Sequence, residues 1–221
     1  MANTKAYKGL AMEGPIAAWY TKITSKDLHR HKFMAASLAP RIPAGGRVLE
    51  IAPGPGFFCI ELAKLGNFQI SGLDISKSFV EIARKNAAQA GLKIDFREGN
   101  ASAMPFEDAS FDFTFCQAAF KNFSQPVKAI AEMYRVLKPG GTAVIVDMRN
   151  DATAEEIERE VKGMHLDRVN ETFTRLTFTQ GLIKSAYSIP QMEAMIAQTP
   201  FGKGQIDVGG VGFQVWLKKI G

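Results

Sequence analysis

Glu50, Asp74, Asn100 and Gln117 are polar residues that each stand at or just beyond the end of a short apolar run. The runs occupy residues 47–51, 67–74, 93–97 and 110–116, and Asp74 comes 24 positions after Glu50. Between the first run and the next helix the chain passes through Ala52-Pro53-Gly54-Pro55-Gly56. Two glycines at alternate positions let backbone approach a ligand closely, because no Cβ intervenes. A carboxylate such as Asp74 accepts two hydrogen bonds and suits the paired hydroxyls of a ribose, while Asn100 offers both donor and acceptor, as an adenine edge requires. Leu73, Ile75, Phe79 and Met104 supply apolar walls for a base. If the runs are neighbouring strands, these positions converge on one crevice shaped for an adenosine-type ligand.

The elements that must hold these residues follow from the spacing. Each apolar run reads as a strand. Helices are expected over residues 57–65, 77–91 and 126–137, with Ser76 as an N-cap and Gly91 as a stop. A fifth strand covers residues 142–147, after a stop-and-turn at Lys138-Pro139-Gly140-Gly141. Strands alternating with helices predict an α/β fold: a Rossmann-like seven-stranded sheet, mostly parallel, with an antiparallel last strand and helices on both faces. Residues 205–208 and 213–217 form its terminal hairpin around a Gly-rich turn. The chain is expected to be a single domain over residues 1–221. Residues 1–44 form an N-terminal helical cap after a loose lead-in over 1–12, the second cap helix starting on Ser25-Lys26-Asp27. Residues 45–150 form the binding core, 151–187 a variable cap or lid, and 188–221 a helix and the hairpin.

Composition narrows the class. Hydrophobic content of 46% and charged content of 22% are globular values and exclude disorder. The net charge of +5 is spread along the chain; it permits an anionic acceptor or, through Lys218-Lys219, a peripheral membrane surface. The two cysteines, Cys59 and Cys116, sit in apolar runs without metal-ligand spacing, so no metal is expected. With no signal peptide and no apolar segment long enough to span a bilayer, the expectation is a cytoplasmic protein. Nothing fixes an oligomeric state.

The turn also discriminates among nucleotides. A dinucleotide fingerprint requires a third glycine where Cys59 stands, and no Gly-Lys-Ser/Thr follows to make a phosphate loop. The ligand is therefore expected to be a nucleoside with a smaller charged tail.

As an ordered set, Val48-Leu49-Glu50-Ile51-Ala52-Pro53-Gly54-Pro55-Gly56, Gly72-Leu73-Asp74-Ile75-Ser76, Gly99-Asn100-Ala101 with Met104-Pro105-Phe106, Phe111-Asp112-Phe113 and residues 132–141 resemble class I S-adenosylmethionine-dependent methyltransferases. The likeness is to the small-molecule branch that includes the ubiquinone/menaquinone-biosynthesis type. It implies S-adenosyl-L-methionine as cofactor, S-adenosyl-L-homocysteine as product, and a small-molecule methyl acceptor. By that resemblance Glu50 and the backbone of Ala52, Gly54 and Gly56 hold the methionine part. Asp74 takes the ribose and Ile75 lies against the adenine. Asn100 and Ala101 meet the adenine edge, Gln117 lies beside the sulfonium, and Tyr20 closes over the cofactor. Phe120, Lys121, Asn122 and Arg149 fall on the acceptor side. Ala52 replaces the family's usual first glycine, Asn100 its usual aspartate, and Phe120-Lys121-Asn122-Phe123 a common histidine pair, so no catalytic base carries over.

In-line methyl transfer relies on alignment and desolvation, and a base is needed only where the acceptor must lose a proton. Two other readings fit parts of the pattern: a non-catalytic S-adenosylmethionine-binding protein, and an NAD-type oxidoreductase. The Asn/Asp-Pro-Pro-Tyr/Phe motif of base methylases and a basic-aromatic platform are both absent, which disfavours nucleic acid.

Overall fold

The computed structural model describes residues 7–8, 12–163 and 183–221. Residues 164–182 of the expected 151–187 cap or lid, and most of the lead-in, lie outside the described residues. The strands are β1 (Arg47–Ile51), β2 (Gln69–Asp74), β3 (Asp95–Glu98), β4 (Phe111–Gln117), β5 (Leu137–Met148), β6 (Gln205–Gly209) and β7 (Gly212–Lys218). They form one seven-stranded sheet in the order β3-β2-β1-β4-β5-β7-β6. β1 pairs in parallel with both β2 and β4, and β5 in parallel with β4; β7 runs antiparallel between β5 and β6. The expected mixed sheet with an antiparallel last strand is what the chain builds. Its order reverses between β1 and β4, so the ligand crevice of such a sheet lies beyond their carboxyl ends.

β1 and β4 are apolar on both faces because both faces are covered. Side chains alternate across the sheet, so Leu49, Ile51 and Cys116 pack with Ile130 and Met133 of α5 (Pro126–Val136) and with Met192 and Ile196 of α7 (Ile189–Ala197). Val48, Phe113 and Phe115 face the other way. They meet Phe58 and Leu62 of α3 (Phe57–Ala63), Val80 and Ala83 of α4 (Lys77–Gln89), and Ala35 and Leu38 of α2 (Leu28–Leu38). Burying these side chains is the main driving force that fixes strand register, since a one-residue slip would turn each set to the wrong face.

Local signals are met where capping chemistry is complete. Ser76 Oγ accepts the Phe79 N–H at 3.0 Å and starts α4, and Gly91, at φ 71°, ends it. Ser188 and Gln191 form a full capping box on α7. The start expected at Ser25 differs: Ser25 Oγ donates back to the Lys22 carbonyl, and α1 (Gly14–Thr24) runs through a 3-10 turn into α2 without a side-chain cap. The stop-and-turn at Lys138–Gly141 lies inside β5, where register against β4 shifts between Phe111 and Phe113 and Gly140 takes φ 78°. α6 (Ala154–Gly163) follows β5. Among the described residues no helix is long and apolar enough to cross a membrane. Lys218 pairs with Thr142 at the edge of the sheet away from the crevice, and Lys219 Nζ donates to the Tyr134 and Leu137 carbonyls at the end of α5. Lys219 therefore braces the carboxyl end of α5, while Lys218 stays on the sheet beside Thr142, at the end of the strands away from the crevice.

Candidate functional site: two halves of one crevice

The chain leaves β1 and β4 by the same device. Ala52, one residue past β1, has φ 56°, and Ala118, one residue past β4, also has φ 56°. Non-glycine residues in this region cost roughly 1–2 kcal/mol each. Both turns are held by backbone bonds to the neighbouring strand, Ala52 N–H to the Leu73 carbonyl at 2.7 Å and Ala118 N–H to the Val146 carbonyl at 2.8 Å. The chain thus turns through the left-handed region just past two adjacent central strands, at the point where the sheet order reverses.

On the β1–β2 side the site is made of carboxylates and backbone. Asp74 is 5% exposed, yet among the described residues no cation pairs with it; its Oδ2 accepts the Gly54 N–H and its Oδ1 the Ser76 N–H, each at 2.9 Å. Asp74 thus ties the glycine turn to the first turn of α4. Burial pushes its carboxyl up to about 6, against the pull of those N–H donors. Glu50, 4% exposed, accepts the Cys59 thiol on Oε2 at 2.8 Å. Burial raises the Glu50 carboxyl to about 7, with Cys59 opposing and the Asp74 charge adding to the rise. Among the described residues neither carboxylate has an ion-pair partner. Gly54 has φ 52°, and a Cβ there would meet nothing within 4 Å, so this limb of the turn borders open space. Gly56 is different: a Cβ would strike Phe96 at 2.9 Å and Ala83 at 3.0 Å, so its glycine serves helix–sheet packing and its own φ of 77°. Buried carboxylates without cations beside an open, Cβ-free turn match a ligand that brings positive charge and hydroxyl groups.

On the β4–β5 side the charge is already balanced. Lys121 and Asp147 are each 5% exposed. Lys121 Nζ donates to Asp147 Oδ1 at 2.9 Å and to the Ala118 carbonyl at 2.8 Å, and Lys121 N–H donates to Asp147 Oδ2 at 3.0 Å. Two of the three ammonium protons are thereby committed. The left-handed turn at Ala118 presents the carbonyl that Lys121 uses, so backbone conformation and ion pair are one arrangement.

The other expected site residues divide. Ile75 is 41% exposed beside Asp74, and Tyr20 packs its ring edge-on to Phe79 with centroids 5.7 Å apart. Ala101 and Gln117 are half-buried at their strand ends. Asn100 Oδ1 accepts the Ser102 N–H at 2.9 Å, so its side-chain oxygen is engaged in its own turn. Phe120 is fully buried against Phe123 and Tyr187 and is core, and Asn122 accepts the Lys8 N–H on its carbonyl. Arg149 is engaged with Asp151, Glu156 and the Gly210 carbonyl and ties α6 to the β6–β7 turn.

Three contributors escaped sequence reasoning. Glu13 caps α4 from outside, accepting the Lys77 and Ser78 N–H groups at 3.0 Å. Tyr7 bridges to Phe123 across the mouth, and burial together with the Asp74 charge raises its phenol. Cys59 reads as a small buried hydrophobe; only its place at the third position of α3, nine residues after Glu50, hints at the thiol–carboxylate bond.

A methyltransferase-domain family model matches residues 49–145. A demethylmenaquinone methyltransferase from Chlorobaculum parvum is 31% identical over 166 residues, covering 72% of this chain and 67% of that protein. The chain belongs to the class I S-adenosylmethionine-dependent methyltransferases. Another demethylmenaquinone methyltransferase, from Deinococcus radiodurans, is 41% identical over 102 residues, 46% of this chain and 42% of that protein. The matches span about half the length of several such relatives, 46% for one from Thermus thermophilus. In fold, a solved structure described as an S-adenosylmethionine-dependent methyltransferase from Methanococcus maripaludis superposes with a TM-score of 0.78 at 23% identity, covering 100% of this chain and 98% of that one. Membership of the family implies S-adenosylmethionine binding. Among the described residues, no group of three or more His, Cys, Asp or Glu side chains is placed to hold a metal ion.

Proposed function

We propose that this chain transfers a methyl group from S-adenosyl-L-methionine to a small quinone-type acceptor, acting in the cytoplasm as a single methyltransferase domain. The observation that carries the reading is the contrast within the crevice: among the described residues Glu50 and Asp74 are buried without a cation partner, while Lys121 and Asp147 neutralise each other. The cofactor brings an ammonium, a sulfonium and two ribose hydroxyls, which are what the first half lacks. Glu50 pairs with the ammonium, Asp74 accepts the ribose hydroxyls, the Gly54 turn carries the methionine backbone, and Ile75 with Tyr20 flanks the adenine. Asn100, Ala101 and Gln117 complete the rim. The bound cofactor supplies an electrophilic methyl on sulfur. The protein's part is to hold that methyl in line with the acceptor and to exclude water, and alignment of this kind is worth up to about 7–11 kcal/mol.

The acceptor side supports a neutral, aromatic-compatible ligand. Lys121 has one ammonium proton left to bond an acceptor oxygen, and this would stabilise negative charge on a ring hydroxyl as the ring is methylated. The Chlorobaculum and Deinococcus relatives are named for demethylmenaquinone, which is such a ring, and we carry that substrate class over as part of the proposal. Free, buried Cys59 and Cys116 suit a reducing compartment.

The test is transfer of isotopically labelled methyl from S-adenosyl-L-methionine to a panel of demethylated quinols, with calorimetry of cofactor and product binding alongside. Labelled quinol is the expected result. Tight cofactor binding without labelled product across the panel would favour a non-catalytic cofactor-binding protein instead.

A further inference from the structure

Among the described residues, helix α1 is held on α4 near its start and leaves most of its side chains exposed. Ala17 is its one buried residue. Its anchor is the Glu13–α4 cap, together with Gly14 N–H donating to Ser78 Oγ at 2.9 Å. Ile16, Trp19, Tyr20 and Ile23 recur at i, i+3, i+4 and i+7 and so share one face, and they are 39%, 61%, 36% and 45% exposed. A stripe of this kind normally closes a core. Here all four side chains stay partly exposed, Trp19 the most, and Tyr20 sets the edge of its ring against Phe79.

The charge around the stripe is of one sign. Between residues 14 and 38 the chain carries Lys22, Lys26, Arg30 and Lys32 against the single acid Asp27, and all four cations are exposed. None of them makes an ion pair among the described residues. α2 adds Phe33, 69% exposed, next to Lys32. An exposed apolar stripe containing tryptophan, flanked by unpaired cations, is the composition of a helix that lies in a lipid headgroup region. A protein partner would have to supply a long acidic and apolar groove, whereas an anionic bilayer supplies both properties everywhere on its surface.

We propose that α1, with the adjoining basic turn and α2, docks this chain on an anionic membrane surface. Tyr20 and Phe79 join the docked face to the crevice, so docking brings the mouth of the site to the lipid interface. The inference rests on exposure and charge alone and holds whatever the methyl acceptor is. It also replaces Lys218-Lys219 as the candidate membrane contact with a surface on the crevice side.

The experiment uses the full chain and large vesicles of phosphatidylcholine, with or without phosphatidylglycerol. Co-sedimentation with the anionic vesicles, weakened by salt, is expected, along with a blue shift of Trp19 fluorescence and its quenching by brominated lipid. Trp216, stacked under the Arg41 guanidinium at 4.5 Å, is expected to stay unquenched. Lys22→Gln and Lys26→Gln should each lower partitioning about fivefold. The double variant Trp19→Ser, Ile23→Ser should abolish partitioning while leaving S-adenosylmethionine affinity and the melting temperature unchanged, which separates docking from both folding and the methyltransferase reading. The proposal is overturned if the wild-type chain stays in the supernatant with anionic vesicles, or if the double variant partitions like wild type. It is equally overturned if sedimentation shows the stripe sealed in a dimer that the double variant dissolves.

Discussion

The two sides of the crevice solve the same problem in opposite ways. At the ends of β1 and β2, Glu50 and Asp74 are buried among backbone N–H groups and a thiol, with no cation among the described residues to balance them. At the ends of β4 and β5, Asp147 is equally buried but answered by Lys121. An unbalanced pair of carboxylates costs stability in the free protein and returns it when a cationic ligand arrives. A balanced pair asks nothing of its ligand and leaves room for a neutral one. That difference is the ground on which we propose the cofactor for one side and the acceptor for the other.

Breaking the balanced side should have the largest effect. Lys121→Met leaves Asp147 charged and buried, and is expected to lower stability by about 3–5 kcal/mol, seen as a reduced denaturation midpoint. The double variant Lys121→Met, Asp147→Leu should recover most of that loss, because no uncompensated charge remains. On the unbalanced side, Asp74→Ala should weaken S-adenosylmethionine binding by about 1.5–3 kcal/mol in calorimetry. Unchanged affinity would remove Asp74 from the ribose.

The contrast also predicts a pH dependence. Burial raises Glu50 from an ordinary 4.5 to about 7 and Asp74 from 3.8 to about 6, so between these values the native state holds more protons than the unfolded chain. Stability should then be greatest below about pH 4 as far as these two groups are concerned, and should fall as pH rises through 6 to 7. Glu50→Gln should flatten that slope and stabilise the free protein at pH 8 by on the order of 1–3 kcal/mol, while weakening the cofactor. A thermal-unfolding series across pH reads both outcomes. The smallest effect belongs to Ala52→Gly. It relieves a φ of 56° but loosens the unfolded chain, for a net gain of about 0–1 kcal/mol in the same unfolding series.

The cofactor half was far more legible in the sequence than the acceptor half, for a physical reason. Strand, turn and helix around Gly54 and Gly56, the acid ending β2, and the Ser76 cap are each encoded within a few consecutive residues, so spacing alone exposes them. The Lys121–Asp147 pair joins residues 26 apart on neighbouring strand ends and exists only once the sheet is assembled. Glu13 reaches α4 across 64 residues, and nothing near it in sequence predicts a cap. Arg149 shows the same gap from the other side. Its place after β5 made it a substrate candidate, but the guanidinium found Asp151 and Glu156 nearby and became a brace for α6. Even in the legible half, Gly54 and Gly56 read alike in the sequence; only the packed structure separates the one that borders open space from the one that Phe96 and Ala83 require.

The most direct test of the unbalanced carboxylates is calorimetric titration of the free protein with S-adenosyl-L-methionine at pH 7, repeated in buffers of different ionisation enthalpy. With Glu50 at about 7 before binding and ionised against the ammonium afterwards, the account predicts release of about half a proton per site, lost in Glu50→Gln. Binding with no proton release from the wild-type protein, or binding of a nicotinamide dinucleotide in place of S-adenosyl-L-methionine, would contradict it.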